Sequence, residues 1–291
     1  MKSAALNKVE FSPKEYKSEV TPVWCPGCGD YGVLNSAYKA ISQLGLDPEQ
    51  TVFVSGIGCS SRFPYFVDTY AMHTLHGRAL PVAAGIKLGN PDLEVIVVGG
   101  DGDGFSIGGG HVPHVARKNT DLTYICMDNS VYGLTKNQVS PTSDLGMKTK
   151  TTPHGSFDMP INPIALALTY GATFVAQAFS GKPKVCAEII QKAIEHEGFS
   201  FVNILSPCPT FNFDNTSASY KESTKPLPED YVPNSRTKAL EIAMGSEAKD
   251  FMGIYYQDRQ PTLVERIQGI IDDQGGSPDY DIQKIADRFK V

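Results

Sequence analysis

Short apolar runs bounded by glycine or polar residues recur through the first 205 residues of the chain. Each has the length of a β-strand that is buried on both faces. These runs cover residues 51–54, 94–98, 122–127, 173–176 and 201–205. Between them apolar residues recur every three or four positions, which predicts helices over 30–44 and near 79–88, 106–118, 160–170 and 183–196. Strands that alternate with helices indicate an α/β fold with a doubly wound parallel sheet.

The two ends of the chain do not share this pattern. Residues 1–23 show no periodicity and are predicted to form an N-terminal arm, followed by one α/β domain over 24–205. We expect Asp30 to cap the first helix of that domain. Residues 206–291 are predicted to form a C-terminal arm that packs on the domain or on a partner subunit. Its first part, 206–235, is rich in breakers and indicates a long ordered loop, and 236–248 and 261–273 indicate two short helices.

Composition and charge exclude some classes of partner. The chain has 291 residues, of which 41% are hydrophobic, and a net charge of −6. This charge gives no electrostatic reason to bind nucleic acid or an anionic membrane. No apolar run approaches the roughly 20 residues that a membrane-spanning helix needs, and the first twenty residues carry no signal-like segment. We expect a cytoplasmic protein whose six cysteines are reduced and serve as ligands or core residues.

An acidic, glycine-rich turn follows the predicted strand 94–98. It reads GGDGDG over residues 99–104, and the next strand ends just before Asn129. The Asp101 carboxylate and the Asn129 amide should therefore lie on one sheet edge, where both offer the hard oxygens that suit Mg²⁺. Glycines let the backbone approach a diphosphate at a helix N-terminus. A structural glycine turn and a dinucleotide fingerprint are the alternatives, but a fingerprint should follow the first strand.

Four of the six cysteines are candidate metal ligands. Cys25 and Cys28 form a C-x-x-C pair, and Cys59 and Cys208 each follow a predicted strand. A thioredoxin-like redox pair is disfavoured, because Cys25 follows a polar arm rather than a strand. Four thiolates fit either structural zinc or an iron–sulfur cluster, although zinc ribbons usually show a second C-x-x-C that is absent here. The remaining two, Cys126 in a strand and Cys186 in a helix, are predicted to be buried core residues.

Six short motifs carry a resemblance to a known family. They are WCPGCGD (24–30), GIGCS (56–60), HGR (76–78), GDGD (100–103), NSVYGLT (129–135) and SPC (206–208). In this order they resemble the beta subunit of 2-oxoacid:ferredoxin oxidoreductases, over about residues 20–215. The resemblance implies a thiamine diphosphate-binding sheet of the diphosphate-domain type. Two departures concern the cofactor loops: Asn137 stands where the family often has Gly, and Pro209 follows the last cysteine.

The resemblance also implies the ligand sets. Mg²⁺ would be held by the Asp101 and Asn129 side chains and the Val131 carbonyl oxygen, and one 4Fe–4S cluster by Cys25, Cys28, Cys59 and Cys208. The residues placed around thiamine diphosphate are Ile57, Gly58, Cys59, Ser60, His76, Gly102, Asp103, Gly133 and Leu134. His76 is expected to hydrogen-bond the diphosphate.

The activity implied is oxidative decarboxylation of a 2-oxoacid to an acyl-coenzyme A, with electrons passing through the cluster to ferredoxin. The stretch 59–64 resembles the 2-oxoglutarate-using members, which form succinyl-CoA, and Arg62 within it suits a substrate carboxylate. An ordinary surface role is the alternative for Arg62. An alpha subunit would supply a pyrimidine-binding domain and its Glu, in a heterodimer or a dimer of heterodimers.

Other functions stay open on the sequence alone. Pyruvate or a branched-chain 2-oxoacid is the alternative substrate. A non-redox thiamine decarboxylase fragment is a further alternative, but it would not need four thiolates beside the cofactor. In a different class, the four thiolates would hold zinc in a non-enzymatic binding module and the acidic turn would only build structure. The sequence leaves the direction of the reaction and the oligomer count undetermined.

Overall fold

The structure is a computed structural model that describes residues 9–247, 249–275 and 282–290. The first eight residues of the predicted N-terminal arm and parts of the predicted C-terminal arm lie outside these ranges. The strands are β1 (Thr51–Ser55), β2 (Tyr70–His73), β3 (Glu94–Gly100), β4 (Leu122–Asp128), β5 (Phe174–Phe179), β6 (Phe199–Leu205), β7 (Lys225–Pro226) and β8 (Phe251–Gln257). The α-helices are α1 (Asp30–Leu44), α2 (Ala79–Gly89), α3 (Asp101–Phe105), α4 (Val112–Lys118), α5 (Pro163–Thr169), α6 (Pro183–Glu195), α7 (Ser217–Ser223), α8 (Arg236–Ala243), α9 (Leu263–Asp273) and α10 (Ile282–Asp287).

The strands form one eight-stranded sheet in the order β2-β1-β3-β4-β6-β5-β8-β7. The five strands predicted from the sequence are adjacent in this order, and they pair in parallel as expected. Strand order reverses between β1 and β3, where Ser55 pairs with Val98 and Val98 pairs with Ile125. Loops that follow strands on either side of such a reversal leave a crevice at the carboxyl edge. The sheet therefore offers a ligand site at the ends of β1, β3 and β4.

Both faces of the sheet are buried, which is why the strands read as continuous apolar runs. In β3, Val95 and Val97 pack into one hydrophobic core, and Ile96 and Val98 pack into the other. One core includes residues of α1 and α6, and the opposite core includes residues of α2, α4, α5 and α8. Side chains that alternate along each strand thus pack against helices on both faces of the sheet, and this confirms the doubly wound architecture.

Several elements differ from the prediction. Of the helix expected over 106–118, only the second half forms, as α4, and a separate short helix, α3, precedes the expected range inside the acidic turn. Strands β2 and β8 and helix α7 were not predicted from the sequence. All four residues of β2 are exposed, and the burial of β8 shows no regular alternation. β8 adds to the sheet beside β5 in antiparallel orientation. Although the division of the chain at residue 205 stays a prediction, the C-terminal segment shares the sheet with the residues before it.

The start of α1 also differs from expectation. Asp30 was expected to cap this helix, but Gly29 occupies the N-cap position and no side chain caps it. Asp30 is instead buried in the first turn, where its Oδ1 accepts a hydrogen bond of 2.6 Å from the Ser206 hydroxyl. The predicted capping role is wrong, because the Asp30 carboxylate is hydrogen-bonded to Ser206 in the loop that follows β6.

No helix among the described residues is both long enough and apolar enough to cross a bilayer. The longest, α1, has 15 residues, against roughly 20 for a membrane span.

Close packing of α1 against the loop after β5 provides a test of the fold. A Cβ atom on Gly32 would lie 2.4 Å from the backbone oxygen of Ser180. We expect Gly32→Ala to lower the free energy of unfolding by about 1–3 kcal/mol, because backbone must shift to accept the methyl group. The measurement is chemical denaturation followed by circular dichroism.

The matched control is Gly85→Ala in the exposed part of α2, where a Cβ atom would meet no atom within 4 Å. This change should raise the free energy of unfolding by about 0.5–1 kcal/mol through helix propensity. Equal effects of the two substitutions would contradict the packing described here.

Candidate functional site

A cavity of about 300 Å³ opens at the carboxyl ends of β1, β3 and β4. All residues that the family resemblance placed at thiamine diphosphate or Mg²⁺ line this cavity. They are Ile57, Gly58, Cys59, Ser60, His76, Asp101, Gly102, Asp103, Asn129, Val131, Gly133 and Leu134. Four further lining residues were not singled out as cofactor contacts, namely Gly100, Tyr132, Thr135 and Gln138. Residues spread over about 80 positions of the sequence thus meet in one cavity, because their strands end at one edge.

Asp103 ties the loops of this cavity together. Its Oδ1 accepts hydrogen bonds from the backbone N–H groups of Ile57 at 2.9 Å and Gly77 at 2.7 Å. The Nδ1 atom of His76 lies 3.0 Å from the same oxygen. Burial raises the pKa of Asp103, and the two backbone donors act against that rise. Asp103 therefore links the loop after β1 to the acidic turn, with the His76 ring beside it on the cavity wall.

Asp101 is a buried acid beside a second buried acid. Burial and then the neighbouring Asp128 carboxyl raise the pKa of Asp101 to about 7. The Asp101 side chain belongs to a residue only 1% exposed, and no described Lys, Arg or His side chain forms an ion pair with it. An ionised carboxylate in such a place needs a compensating cation. The donor chemistry therefore fits a hard divalent ion such as Mg²⁺.

The turn after β4 orients the other two predicted magnesium ligands. Ser130 adopts a left-handed backbone with φ of 54°. The Asn129 side-chain oxygen accepts a hydrogen bond of 3.1 Å from the Val131 N–H, and the Asn129 backbone oxygen accepts one of 3.0 Å from the Asn212 side chain. This fixed turn holds Asn129 and Val131 on the cavity wall next to Asp101.

Glycine is required where the acidic turn meets the turn after β4. A Cβ atom on Gly102 would lie 2.2 Å from the Tyr132 ring, and the Tyr132 hydroxyl donates a hydrogen bond of 3.1 Å to the Gly102 oxygen. A Cβ atom on Gly56 would likewise lie 2.0 Å from the Asp103 carboxylate. These contacts bring backbone to the cavity surface, as a diphosphate site requires.

The four candidate cluster cysteines lie on three loops that are hydrogen-bonded to one another. The Trp24 indole N–H donates to the Cys59 backbone oxygen at 2.7 Å, and the Gly29 N–H donates to the Pro207 oxygen at 3.0 Å. The Sγ atoms of Cys59 and Cys208 each lie 3.7 Å from the position of a Cβ atom on Gly133. The cysteine loops therefore adjoin the cofactor cavity, with Cys59 in both.

The protonation of these thiols bears on their chemistry. Burial raises the pKa of Cys59 to about 11, and it also raises the pKa of Cys28 and Cys208, with the Asp30 carboxylate contributing to each. A redox or nucleophilic thiol needs a lowered pKa, so these are poor nucleophiles. Metal ligation would instead displace the protons. Among the described residues, no group of three Cys, His, Asp or Glu side chains is close enough to hold a single metal ion.

Arg62 lies apart from the cavity wall. Its guanidinium donates a hydrogen bond of 3.2 Å to the Val23 backbone oxygen at the end of the N-terminal arm. Arg62 is also close enough to Cys59 to act against the rise in its pKa. The structure thus places Arg62 at the cysteine loops, and its predicted role toward a substrate carboxylate stays a prediction.

The two departures from the family pattern are accommodated locally. Asn137 has a left-handed backbone with φ of 80°, which Asn tolerates better than most residues. Pro209 lies beside the C-x-x-C turn, 3.8 Å from the position of a Cβ atom on Gly27. Neither departure removes a candidate ligand. Cys126 and Cys186 are fully buried in the two cores, which confirms their predicted role as core residues.

Thr142 and Asp128 were not predicted as site residues from the sequence. The Thr142 hydroxyl contacts the Asp101 carboxylate, and it also contacts the Asp128 carboxylate. Thr142 lies 41 positions from Asp101 in a loop with no chemical motif of its own, so the sequence carried no signal for it. Asp128 precedes Asn129 in the sequence, and its position at the end of β4 was the only indication.

Two family models match successive parts of the chain. Residues 56–204 match the C-terminal TPP binding domain of thiamine pyrophosphate enzymes. Residues 208–272 match the C-terminal part of the pyruvate ferredoxin oxidoreductase beta subunit. The first match contains every lining residue of the cavity, and the second begins at Cys208.

Individual relatives match over most of the chain. A 2-oxoacid:ferredoxin oxidoreductase subunit beta from Saccharolobus solfataricus is 42% identical, with 92% of this chain and 96% of that protein covered. A 2-oxoglutarate synthase subunit KorB from Methanothermobacter thermautotrophicus is 40% identical over 87% of this chain and 89% of its own.

A solved structure, 2-oxoglutarate:ferredoxin oxidoreductase from Magnetococcus marinus with 2-oxoglutarate, coenzyme A and succinyl-CoA bound, is similar with a TM-score of 0.94. Its chain is 53% identical, with 99% of both chains covered. The cavity at the strand ends, the two family matches and these relatives agree. The chain belongs to the beta subunits of 2-oxoacid:ferredoxin oxidoreductases.

Proposed function

We propose that this chain, together with an alpha subunit, catalyses the oxidative decarboxylation of 2-oxoglutarate to succinyl-CoA and CO₂. It would bind thiamine diphosphate with Mg²⁺ and one 4Fe–4S cluster, and pass electrons to ferredoxin. The observation that carries the proposal is the meeting of all predicted cofactor and magnesium residues in one cavity whose wall includes Cys59. The same enzyme class would run in either direction, depending on the supply of reduced ferredoxin.

The residues of the cavity divide into three tasks. Asp101, Asn129 and the Val131 oxygen would hold Mg²⁺ on the diphosphate, and Asp103 would keep His76 oriented toward it. Cys25, Cys28, Cys59 and Cys208 would hold the cluster. When bound, thiamine diphosphate supplies a carbon nucleophile for decarboxylation and the cluster supplies one-electron transfer. Because Cys59 belongs to both sets, the two groups would lie side by side. This proximity supports an oxidoreductase over a zinc-stabilised binding module or a decarboxylase without a cluster.

The choice of 2-oxoglutarate rests on the relatives. The Magnetococcus marinus enzyme, 53% identical to this chain, has 2-oxoglutarate and succinyl-CoA bound. The Methanothermobacter relative is a 2-oxoglutarate synthase subunit. Pyruvate and branched-chain 2-oxoacids are the alternative substrates, since the wider family is described only as acting on 2-oxoacids. The cytoplasmic location and the identity of the ferredoxin stay predictions.

Membership among beta subunits implies an alpha subunit. We propose that the alpha subunit supplies the pyrimidine-binding domain and the Glu that activates the cofactor, in a heterodimer or a dimer of heterodimers. The described strands form one sheet, and its carboxyl edge carries the residues proposed to bind the diphosphate and Mg²⁺. The open side of the cavity is where a second domain would complete the site.

The first prediction concerns this division of labour. The chain purified alone, with cofactor and cluster reconstituted, should show no dye reduction that depends on 2-oxoacid and coenzyme A. Adding the alpha subunit should restore it, because the missing domain is then present. With the complex, kcat/KM should be higher for 2-oxoglutarate than for pyruvate or 2-oxoisovalerate. Full turnover by the isolated chain would contradict the proposal that an alpha subunit completes the active site.

The second prediction concerns the cluster. Replacing Cys25, Cys28, Cys59 or Cys208 by Ser in the anaerobically purified complex should lower iron content and the broad visible absorption, since each substitution removes a thiolate ligand. Iron analysis and absorption spectroscopy measure this directly. Cys126→Ser and Cys186→Ser are matched controls, because they alter buried thiols outside the cysteine loops and should keep the iron. Full iron content in Cys208→Ser would refute the ligand set.

The third prediction separates two roles for Arg62. If its guanidinium binds the distal carboxylate, Arg62→Met should raise KM for 2-oxoglutarate at least about tenfold, the usual cost of a lost charge-assisted bond. KM for 2-oxobutyrate, which lacks that carboxylate, should stay unchanged. The exposed Arg117→Met on α4 is the control. Equal changes for both substrates would instead assign Arg62 to the Val23 contact that holds the arm.

A further inference from the structure

Thr142 lies between two buried carboxyl groups. Its hydroxyl oxygen is 2.7 Å from Asp101 Oδ2 and 2.8 Å from Asp128 Oδ1. Thr142 is itself only 3% exposed. The three side chains come from the turn after β3, the end of β4 and a distant loop, so the contact exists only in the folded chain. One hydroxyl thus bridges the proposed magnesium ligand and the acid next to it.

The bridge also separates two cavities. Asp101 lines the cofactor cavity, whereas Thr142 and Asp128 line a second cavity of about 530 Å³ on the other side. Thr142 is absent from the lining of the cofactor cavity and would not touch the cofactor. Its contacts run to Asp101 at 2.7 Å and to the Ser130 hydroxyl at 3.2 Å, so the shorter route from Thr142 to the metal passes through Asp101.

Both carboxyl groups have hydrogen-bond donors besides Thr142. Asp128 Oδ1 accepts hydrogen bonds from the Ser130 backbone N–H at 3.1 Å and from its hydroxyl at 3.2 Å. Its Oδ2 lies 3.4 Å from the Asn203 amide nitrogen. Asp128 thus keeps donors without Thr142, and Asp101 likewise keeps a side-chain hydrogen bond from Ser140. The Thr142 hydroxyl, 2.7 Å from Asp101 Oδ2, is the donor that links the two acids. Loss of the Thr142 hydroxyl removes its contact with Asp101 Oδ2 while the other donors of both acids remain.

The loop that carries Thr142 is secured by other bonds. The Ser143 hydroxyl donates a hydrogen bond of 2.7 Å to the Ser130 backbone oxygen and accepts one of 2.8 Å from the Ser140 N–H. These bonds do not involve the Thr142 side chain. A change confined to its hydroxyl should therefore leave the loop in place.

We propose that Thr142 is a positioning residue for the metal. Its hydroxyl fixes the rotation of the Asp101 carboxylate, so that the metal-binding oxygen faces the cofactor cavity rather than the second cavity. This inference rests on the proposed function, because it requires that Asp101 binds Mg²⁺ beside the diphosphate. It goes beyond the ligand set, since Thr142 contacts neither metal nor cofactor.

The test uses the assembled complex with its alpha subunit. Apparent Mg²⁺ affinity is measured by titrating MgCl₂ into metal-free complex with saturating thiamine diphosphate and following calorimetric heat. Thr142→Val removes the hydroxyl at nearly constant volume and should weaken Mg²⁺ binding about 10- to 100-fold, as expected for a lost hydrogen bond to a charged group. Thr142→Ser keeps the hydroxyl and should stay within about threefold of the unaltered complex.

Three comparisons make the outcome decisive. Asp101→Asn is the reference for loss of the ligand itself, and Thr149→Val is the matched control, because Thr149 is a nearly buried threonine of the same region that bonds Thr152 instead. Iron content, and the thermal midpoint without added Mg²⁺ and thiamine diphosphate, are recorded for every variant and should not change. If Thr142→Val does not assemble, Thr142→Ala replaces it with the same expected loss.

Unchanged Mg²⁺ affinity in Thr142→Val, or failure of Thr142→Ser to retain it, would overturn the positioning role. A parallel loss of iron and thermal stability in Thr142→Val would also overturn it, since the hydroxyl would then be structural. If the unaltered complex itself binds thiamine diphosphate without any need for Mg²⁺, the proposed function fails instead. The two failures are thus distinguishable.

Discussion

The Asp103 carboxylate is the contact on which the geometry of the cavity depends. One of its oxygens accepts hydrogen bonds from two backbone N–H groups in separate loops, and it lies 3.0 Å from His76 Nδ1. Burial raises the pKa of Asp103, and the converging donors act against that rise. Without this carboxylate the loop that carries Ile57–Ser60 would lose its link to the acidic turn. A single buried acceptor therefore sets the relative position of loops that are 46 residues apart.

The same edge of the sheet concentrates acidic groups that the chain alone does not neutralise. Asp101 and Asp128 are both buried and both have raised pKa values. Three of the candidate cluster thiols, Cys28, Cys59 and Cys208, lie near the buried Asp30, whose carboxylate adds to the rise in their pKa values. Such an arrangement costs folding free energy in the absence of cations. It is the arrangement expected of a protein whose cofactors supply the missing positive charge, and for which cofactor binding stabilises the fold.

Sequence pattern predicted those elements whose burial is regular. Strands β1, β3, β4, β5 and β6 are buried at nearly every residue, so each stood out as an apolar run. β2 is exposed throughout and β8 is buried irregularly, so neither produced a periodic signal. The helix start at Asp30 was misjudged for a related reason. An Asp that caps a helix and an Asp that accepts a hydrogen bond from a distant loop cannot be distinguished in the sequence. Only the position of Ser206 in the fold shows that Asp30 is of the second kind.

The sequence by itself determined which residues are candidates for the chemistry, because carboxylates, thiols and glycines at strand ends form local motifs. It placed all the predicted cofactor and magnesium residues on the edge where the structure brings them into one cavity. The tertiary structure alone decided how they are held. The bridge from Thr142 to Asp101, the donors to Asp103 and the contact of Arg62 with Val23 join segments 26 to 46 residues apart. Such contacts depend on loop paths over the sheet edge, and hydrophobic periodicity carries no information about those paths.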